Sequence, residues 1–469
     1  MNSIQRAALS VSVISSFITP FMISAVNVAM PAIQSTFRDQ GMDSVTLSWV
    51  ATSYLLAAGA TLIPMGRLAD ITGRKKILGL GFTILAISAL LSAFSWSPAS
   101  LIGLRAIQGI GGGMVFGTGM AILTSVFPPN KRGSVIGIAV SAVYIGLSTG
   151  PFVGGIITHQ FGWRMLFVTV ALLGLIPLTI MLRFLKGEWA DAAGERYDYL
   201  SALLYIPSLI FLIYGFSILP QFSGSIMLIL GISGLVFFGI RQNRVKYPLF
   251  QIGLLFENKL FALSSSAALI HYSATFGLMF LMSLYLQYIK GLDPRTTGLI
   301  LIAQPLMMAA FSPLAGKMSD KSEPRIIASI GMAATCLVLF ALGFLDRDSS
   351  ITSIVLLLVI LGIGFAFFSS PNMNAIMGAV EKRYLGIASG TAGSMRVLGQ
   401  MFSMGIVTLI FSLVMGERQP GPETQTELIE SIRWSFRIFG CLCIGGIVAS
   451  AVRGNIHQPG DQSTEPVKD

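Results

Sequence analysis

Fourteen apolar runs, each about the length of a membrane crossing and joined by short polar links, leave this chain very few ways to fold. A helix needs about 20 apolar residues to cross the hydrocarbon core of a bilayer. Inside that core, backbone polar groups must be bonded within the segment itself. The runs are read at about 7–31, 47–68, 77–96, 99–127, 133–158, 163–184, 198–220, 224–241, 259–289, 295–317, 325–345, 351–378, 384–415 and 433–453. The chain is 11% charged, against about a quarter for soluble domains. Its 50 glycines suit helices that approach closely. The fold class is therefore an all-α polytopic membrane protein.

An even number of spans returns the chain to the side on which it began. With the N-terminus inside, 21 Lys and Arg fall in inner segments and 7 in outer ones, Arg74, Lys75, Lys76, Lys131, Arg132, Lys382 and Arg383 among the inner set. The positive-inside rule then puts both termini in the cytoplasm of a cell bounded by this plasma (inner) membrane. The first run is of full span length without a small-residue cleavage site, so it reads as a helix and not a leader.

The net charge of +10 is dispersed among these short links and forms no patch for nucleic acid. Cys336, Cys441 and Cys443 lie in spans, and His159, His271 and His457 are scattered. No metal-ligand spacing, carboxylate–histidine pair or Walker-type loop occurs, so neither an enzyme, a cofactor, a metal nor ATP is expected.

Gly66-Arg67-Leu68-Ala69-Asp70-Ile71-Thr72-Gly73-Arg74-Lys75-Lys76, between spans two and three, recurs in weaker form 250 residues on as Gly316-Lys317-Met318-Ser319-Asp320-Lys321. That offset divides the chain into six helices (1–190), a two-helix insert (191–250), six more helices (251–455) and a cytoplasmic tail (456–469). Internal repeats with a binding site between them are the build of alternating-access transporters. Gly66 and Gly73 are expected to make tight turns. Asp70 is expected at the start of the next helix, favoured by its dipole and by Arg74.

Three further patterns stand out. Arg105, inside a span, is costly unless it faces the bundle interior, and Gln108 shares its face. Gly146, Gly150 and Gly154 recur every fourth residue and form a groove for another helix, with Pro151 bending the backbone and Gly155 beside them. Arg396, with Gln400 one turn on, is a second intramembrane cation.

These residues carry a resemblance. Gly66 to Lys76 resembles the loop motif of the major facilitator superfamily. Leu101-x3-Arg105-x2-Gln108-Gly109-x-Gly111 is similar to its fourth-helix motif. Gly146-x3-Gly150-Pro151-x2-Gly154-Gly155 is similar to the fifth-helix motif of its antiporters. With fourteen spans and Asn27-Val28-Ala29-Met30-Pro31 closing the first, the chain resembles the fourteen-span drug:H+ antiporters over nearly its whole length. The resemblance implies that Asp70 latches the two halves and that Arg105 couples proton movement to conformation. It also implies that the glycine motif packs the halves together and accompanies export.

One departure matters. Where those exporters usually carry an Asp five residues before the Asn, this chain has Met22, and none of its 21 acidic residues falls at mid-membrane depth. A carboxylate there would carry the proton and pair with an organic cation. Candidate cavity residues are instead Asn27, His271, Gln304, Asn372, Asn374, Arg396 and Gln400. An imidazole titrates near neutrality, so His271 is either a proton carrier or a packed core residue. The expectation is a monomeric, proton-driven exporter of amphipathic drug-like small molecules. The alternatives are an exporter of an anionic or neutral metabolite with different coupling, or a membrane sensor that does not cycle.

Overall fold

The computed structural model describes residues 1–42, 44–218, 221–416 and 424–455; Arg418, His457 and the expected tail 456–469 lie outside the described residues. Among the described residues, fourteen helices are long and apolar enough to cross a membrane. They are α1 (Ser3–Thr36), α2 (Thr46–Thr72), α3 (Arg74–Ala93), α4 (Pro98–Val126), α5 (Pro129–Phe161), α6 (Trp163–Phe184), α7 (Tyr199–Phe216), α8 (Phe222–Gln242), α9 (Lys259–Ile289), α10 (Pro294–Lys321), α11 (Pro324–Leu342), α12 (Ile351–Gly378), α13 (Lys382–Met415) and α14 (Gln425–Val452).

Helix starts are fixed by side chains that satisfy the free N–H groups of the first turn. Asn2 and Gln5 form a reciprocal box at α1, and Ser97 caps α4 ahead of Pro98. Asp198 caps α7, Asn258 caps α9 and Ser350 caps α12. The α9 helix is interrupted at Phe276–Gly277 and ends in a π turn at Tyr285–Ile289.

Two boundaries differ instructively from the expected ones. The α14 helix begins at Gln425, not near 433, because its first two turns carry Glu427 and Glu430, which hydropathy rejects. They are stable as helix because they stand at the end of the bundle away from the Gly66–Lys76 segment, where Arg433 donates to the Leu345 carbonyl. The expected turn between spans two and three shrinks to one residue: α2 runs through Thr72, and Gly73, at φ +119°, alone separates it from α3. Gly66 is thus helical and makes no turn.

The helices form two halves with the same internal pairing. In the first, α1 lies on α5, α2 and α3 on α4, and α3 on α6. In the second, α9 lies on α13, α10 and α11 on α12, and α11 on α14. The halves meet along two seams, α2 against α13 and α5 against α10.

The two-helix insert packs against both halves. While α8 packs chiefly on α7, α7 touches both α2 and α13. The Tyr197 hydroxyl donates to the Pro64 carbonyl at 3.2 Å, Tyr214 meets Trp49 with ring centres 5.0 Å apart, and Phe216 meets Phe402 at 5.3 Å. The largest apolar core accordingly runs through both halves and α7.

Candidate functional site

Both seams close at the end of the bundle that carries the Gly66–Lys76 segment. There Gly66 faces the backbone of Gly386 so closely that a Cβ would stand 2.3 Å from the Gly386 carbonyl oxygen. Gly316 faces Gly133 in the same way, at 2.1 Å. Absent side chains let four helices cross backbone to backbone.

Each crossing is completed by a carboxylate. The two oxygens of Asp70, at the end of α2, accept from Gly386 N at 3.0 Å each, and one also accepts from Ile387 N at 3.2 Å. These are free N–H groups of the first α-helical turn of α13, which begins at Leu385 after a 3-10 turn at Lys382–Tyr384, and the helix dipole there favours an anion. The helix that Asp70 caps therefore belongs to the other half, not the next helix in sequence as expected. Asp320 repeats the arrangement in reverse: its oxygens accept from Gly133 N at 2.6 Å and Ser134 N at 2.7 Å, at the start of α5. The two contacts form a reciprocal pair across the halves.

Arg74 organises the first of these. Its Nε donates to Asp70 at 2.8 Å, and its Nη1 to Ser125 at 2.7 Å and Asp191 at 2.8 Å. Nη2 reaches the Lys382 carbonyl, which is again in the second half. The segment after α6 clamps over this group. Trp189 O accepts from Arg74 N, Ala192 N donates to Asp70 O, Glu188 accepts from Lys75 N, and Glu195 pairs with Arg67. Asp320 and this acidic strap are the functional candidates that sequence reasoning undervalued. The pairing of Asp320 was foreshadowed by Lys131-Arg132-Gly133 and Lys382-Arg383-Tyr384-Leu385-Gly386, a repeat of the partner helix starts.

Arg105 is fully buried within the first half. Its Nε donates to the Val50 carbonyl at 2.8 Å and its Nη1 to Gln108 Oε1 at 2.6 Å, and its plane stands 4.6 Å from the Tyr54 ring centre. Nη1 also lies 3.4 Å from the sulfur of Met22, so the residue at the usual Asp position is in direct contact with Arg105.

Gly146, Gly150 and Gly154 do form a close face, but against Phe17, Phe21 and Ala25 of α1. In this structure the motif holds α5 to its own half instead of joining the halves. Pro151 is exposed and Gly155 only grazes Val28.

A small cavity of about 30 Å³ lies between the halves. The first half contributes Phe116, Met120 and Val143; the second contributes Tyr272, Asn372 and Arg396. Its present volume suits a water molecule and not a drug-sized ligand, so a larger occupant needs the halves to separate.

Of the seven cavity candidates, only Asn372 and Arg396 line this space. Asn27 is exposed near the far end of α1, and Gln400 is half-buried one turn beyond Arg396. Gln304 is buried in α10 with its Oε1 unbonded. Asn374 donates to Ser319 Oγ at 3.1 Å, beside the Asp320 contact. His271 is fully buried between the rings of Phe365 and Phe368, with centres at 4.3 and 4.1 Å, and neither ring nitrogen has a partner. An imidazolium there would be unpaired among apolar groups, which favours the packed-residue alternative for His271.

The sequence pattern of the Major Facilitator Superfamily matches residues 12–256 and 264–468. This chain belongs to the major facilitator superfamily. It is a multi-pass membrane protein of a family of transporters, with two six-helix halves and two inserted helices. It is 28% identical to the riboflavin transporter RibZ of Clostridioides difficile over 91% of this chain and 92% of that one. It is 29% identical to the multidrug resistance protein Stp of Mycobacterium tuberculosis over 81% of this chain and 71% of that one. In fold it is similar to the human organic anion transporter MFSD10, with a TM-score of 0.71 at 14% identity, covering 95% and 99% of the two chains.

Proposed function

We propose that this protein exports amphipathic small molecules by alternating access, as a monomer driven by a proton gradient. The observation that carries the reading is the pair of reciprocal carboxylate contacts, in which each half's Asp caps a helix start in the other. Such contacts are strong when made, yet confined to one end, so they can break together without unfolding either half. The basic residues around them support a cytoplasmic position for this end and for both termini. In this reading residues 1–190 and 251–455 are the two moving bodies, and 191–250 rides between them.

Export is supported by relatives named for multidrug resistance, and the riboflavin transporter among them leaves the substrate open. The expected role of Arg105 is served by its position: its bonds tie α4 to α2 beside Met22. Protonation of Asp70 or Asp320 would discharge a contact between the halves. Those carboxylates are accordingly the groups through which protons act.

The test uses purified protein in liposomes, with an amphipathic dye and internal pH recorded together under an imposed pH gradient. Dye movement that reverses with the gradient and is matched by proton flux is the expected result. Dye movement without proton flux overturns the coupling, and no movement of any amphiphile overturns transport.

A further inference from the structure

We propose that the cavity around Arg396 is a binding site for the anionic end of an aromatic substrate, a planar ring bearing a carboxylate or sulfonate. This deepens the transport reading above and rests on it.

The charge at the site is the first reason. Arg396 projects from α13 into the space between the halves, and none of the ion pairs among the described residues includes it. Its Nε is buried without an acceptor. What it has instead are two ring faces: its guanidinium lies 4.5 Å from the centre of Phe116 and 5.4 Å from that of Tyr272. Ring faces attract a cation but do not neutralise it, and this half-buried guanidinium has no ion-pair partner among the described residues. An incoming anion would supply what the protein withholds.

Two of the neighbouring polar groups are already committed. Asn372 donates to the Ser264 carbonyl at 3.0 Å and accepts from Arg453. Ser369 accepts from the Tyr144 hydroxyl at 3.1 Å. Arg396 is therefore the strong donor left to a ligand. Behind Asn372, Arg453 is itself buried, with its Nε and Nη2 lacking acceptors. Arg396 is thus the charged side chain in the cavity wall, Arg453 standing behind Asn372 within the influence of Glu323, and no carboxylate lines the space. An organic cation would enter a field of its own sign.

The rest of the wall selects for a ring. Phe116 and Tyr272 already hold a planar cation and offer their outer faces and edges, while Met120 and Met373 can adjust to irregular shapes. Because Phe116 and Arg396 belong to different halves, one occupant would touch both moving bodies. The same parting that enlarges the cavity would loosen the grip on the ligand.

Three probes sharing one ring separate the possibilities: 2-naphthalenesulfonate, neutral 2-acetonaphthone and 2-naphthyltrimethylammonium. Their binding to the purified full-length protein is read from the ligand-dependent rise in melting temperature. The expected order of affinity is sulfonate, then ketone, then ammonium, with at least tenfold between the first and last. Arg396→Gln is expected to weaken the sulfonate at least tenfold while leaving the ketone within twofold, which also shows that the variant folds. Arg396→Lys keeps the charge and should retain part of the sulfonate affinity. Ammonium binding equal to or tighter than sulfonate, no sulfonate binding, or sulfonate affinity unchanged in Arg396→Gln overturns the assignment. Liposome flux of the ketone is measured in parallel. Ketone transport without sulfonate preference defeats the anionic site alone, whereas sulfonate binding without flux of any probe defeats the transport reading alone.

Discussion

Replacing Asp70 by Asn removes one negative charge and almost no volume, at a point where the halves touch through a few atoms. The carboxylate receives two backbone N–H groups from α13 and the guanidinium of Arg74. An amide keeps one acceptor oxygen but turns an NH2 toward Gly386 N or Arg74, donor against donor. Hydrogen bonds to a charged group contribute about 1.5–3 kcal/mol each. Loss of one cross-half bond and weakening of the other costs about 2–4 kcal/mol. Since 1.4 kcal/mol is a factor of about ten, the ratio of parted to closed molecules at this end should rise about 30- to 700-fold. Spin labels at the exposed positions Lys76 and Glu381 span the two halves at this end. Their distance distribution, read by pulsed electron resonance in lipid nanodiscs, should gain a longer component in Asp70→Asn. Asp320→Asn breaks the other contact, with two bonds of 2.6 and 2.7 Å, and should do the same. If neither variant changes the distribution while both melt like the parent, the carboxylates only order the helix ends and the latch is wrong.

Three further outcomes are expected. Met22→Asp places an oxygen where the sulfur now meets Arg105 Nη1, so it should be tolerated beside Arg105 but strongly destabilising with Arg105→Met; a double-mutant cycle of melting free energies should give a coupling of about 3 kcal/mol or more. Gly66→Ala drives a methyl into the Gly386 carbonyl and should force α2 and α13 apart, costing about 1–3 kcal/mol by thermal unfolding and lengthening the same label distance. Burial alone would raise the pKa of Asp198, but hydrogen bonds from Ser201 and the charge of Arg241 outweigh it and hold the carboxyl below its ordinary value. Its stabilising effect is therefore complete above the ordinary carboxylate range and lost as pH falls through the lowered value. Asp198→Asn should reduce the acid-side loss of melting temperature and leave the slope near neutrality unchanged.

The spans were legible because their apolar runs have no other stable destination in a bilayer. Their ends were less so: the first turns of α14 are polar and stand at the surface, where hydropathy has nothing to measure. The site was legible in its residue types and opaque in its pairings. Asp70 announces a need for donors, but nothing local says that they come from Gly386, 316 residues away. His271 reads as an ionisable group in an apolar helix until Phe365 and Phe368 are seen on its faces. The strap of Glu188, Asp191 and Glu195 reads as an ordinary polar link, because its meaning lies in the Arg67 and Arg74 guanidiniums that it meets. Arg396 and the want of a mid-membrane carboxylate to meet it were visible from the start; its place between Phe116 and Tyr272, at the junction of the halves, needed the fold.

The placement of α7 makes the molecule lopsided toward its lipid. A twelve-helix body with these two seams would present a matching flank on either side. Here one seam lies beneath an aromatic-studded helix, whereas among the described helices none covers the α5–α10 seam in that way. The two flanks are therefore unequal toward the surrounding lipid: resurfacing the outer face of α7 would alter the cover of one seam and leave the other untouched.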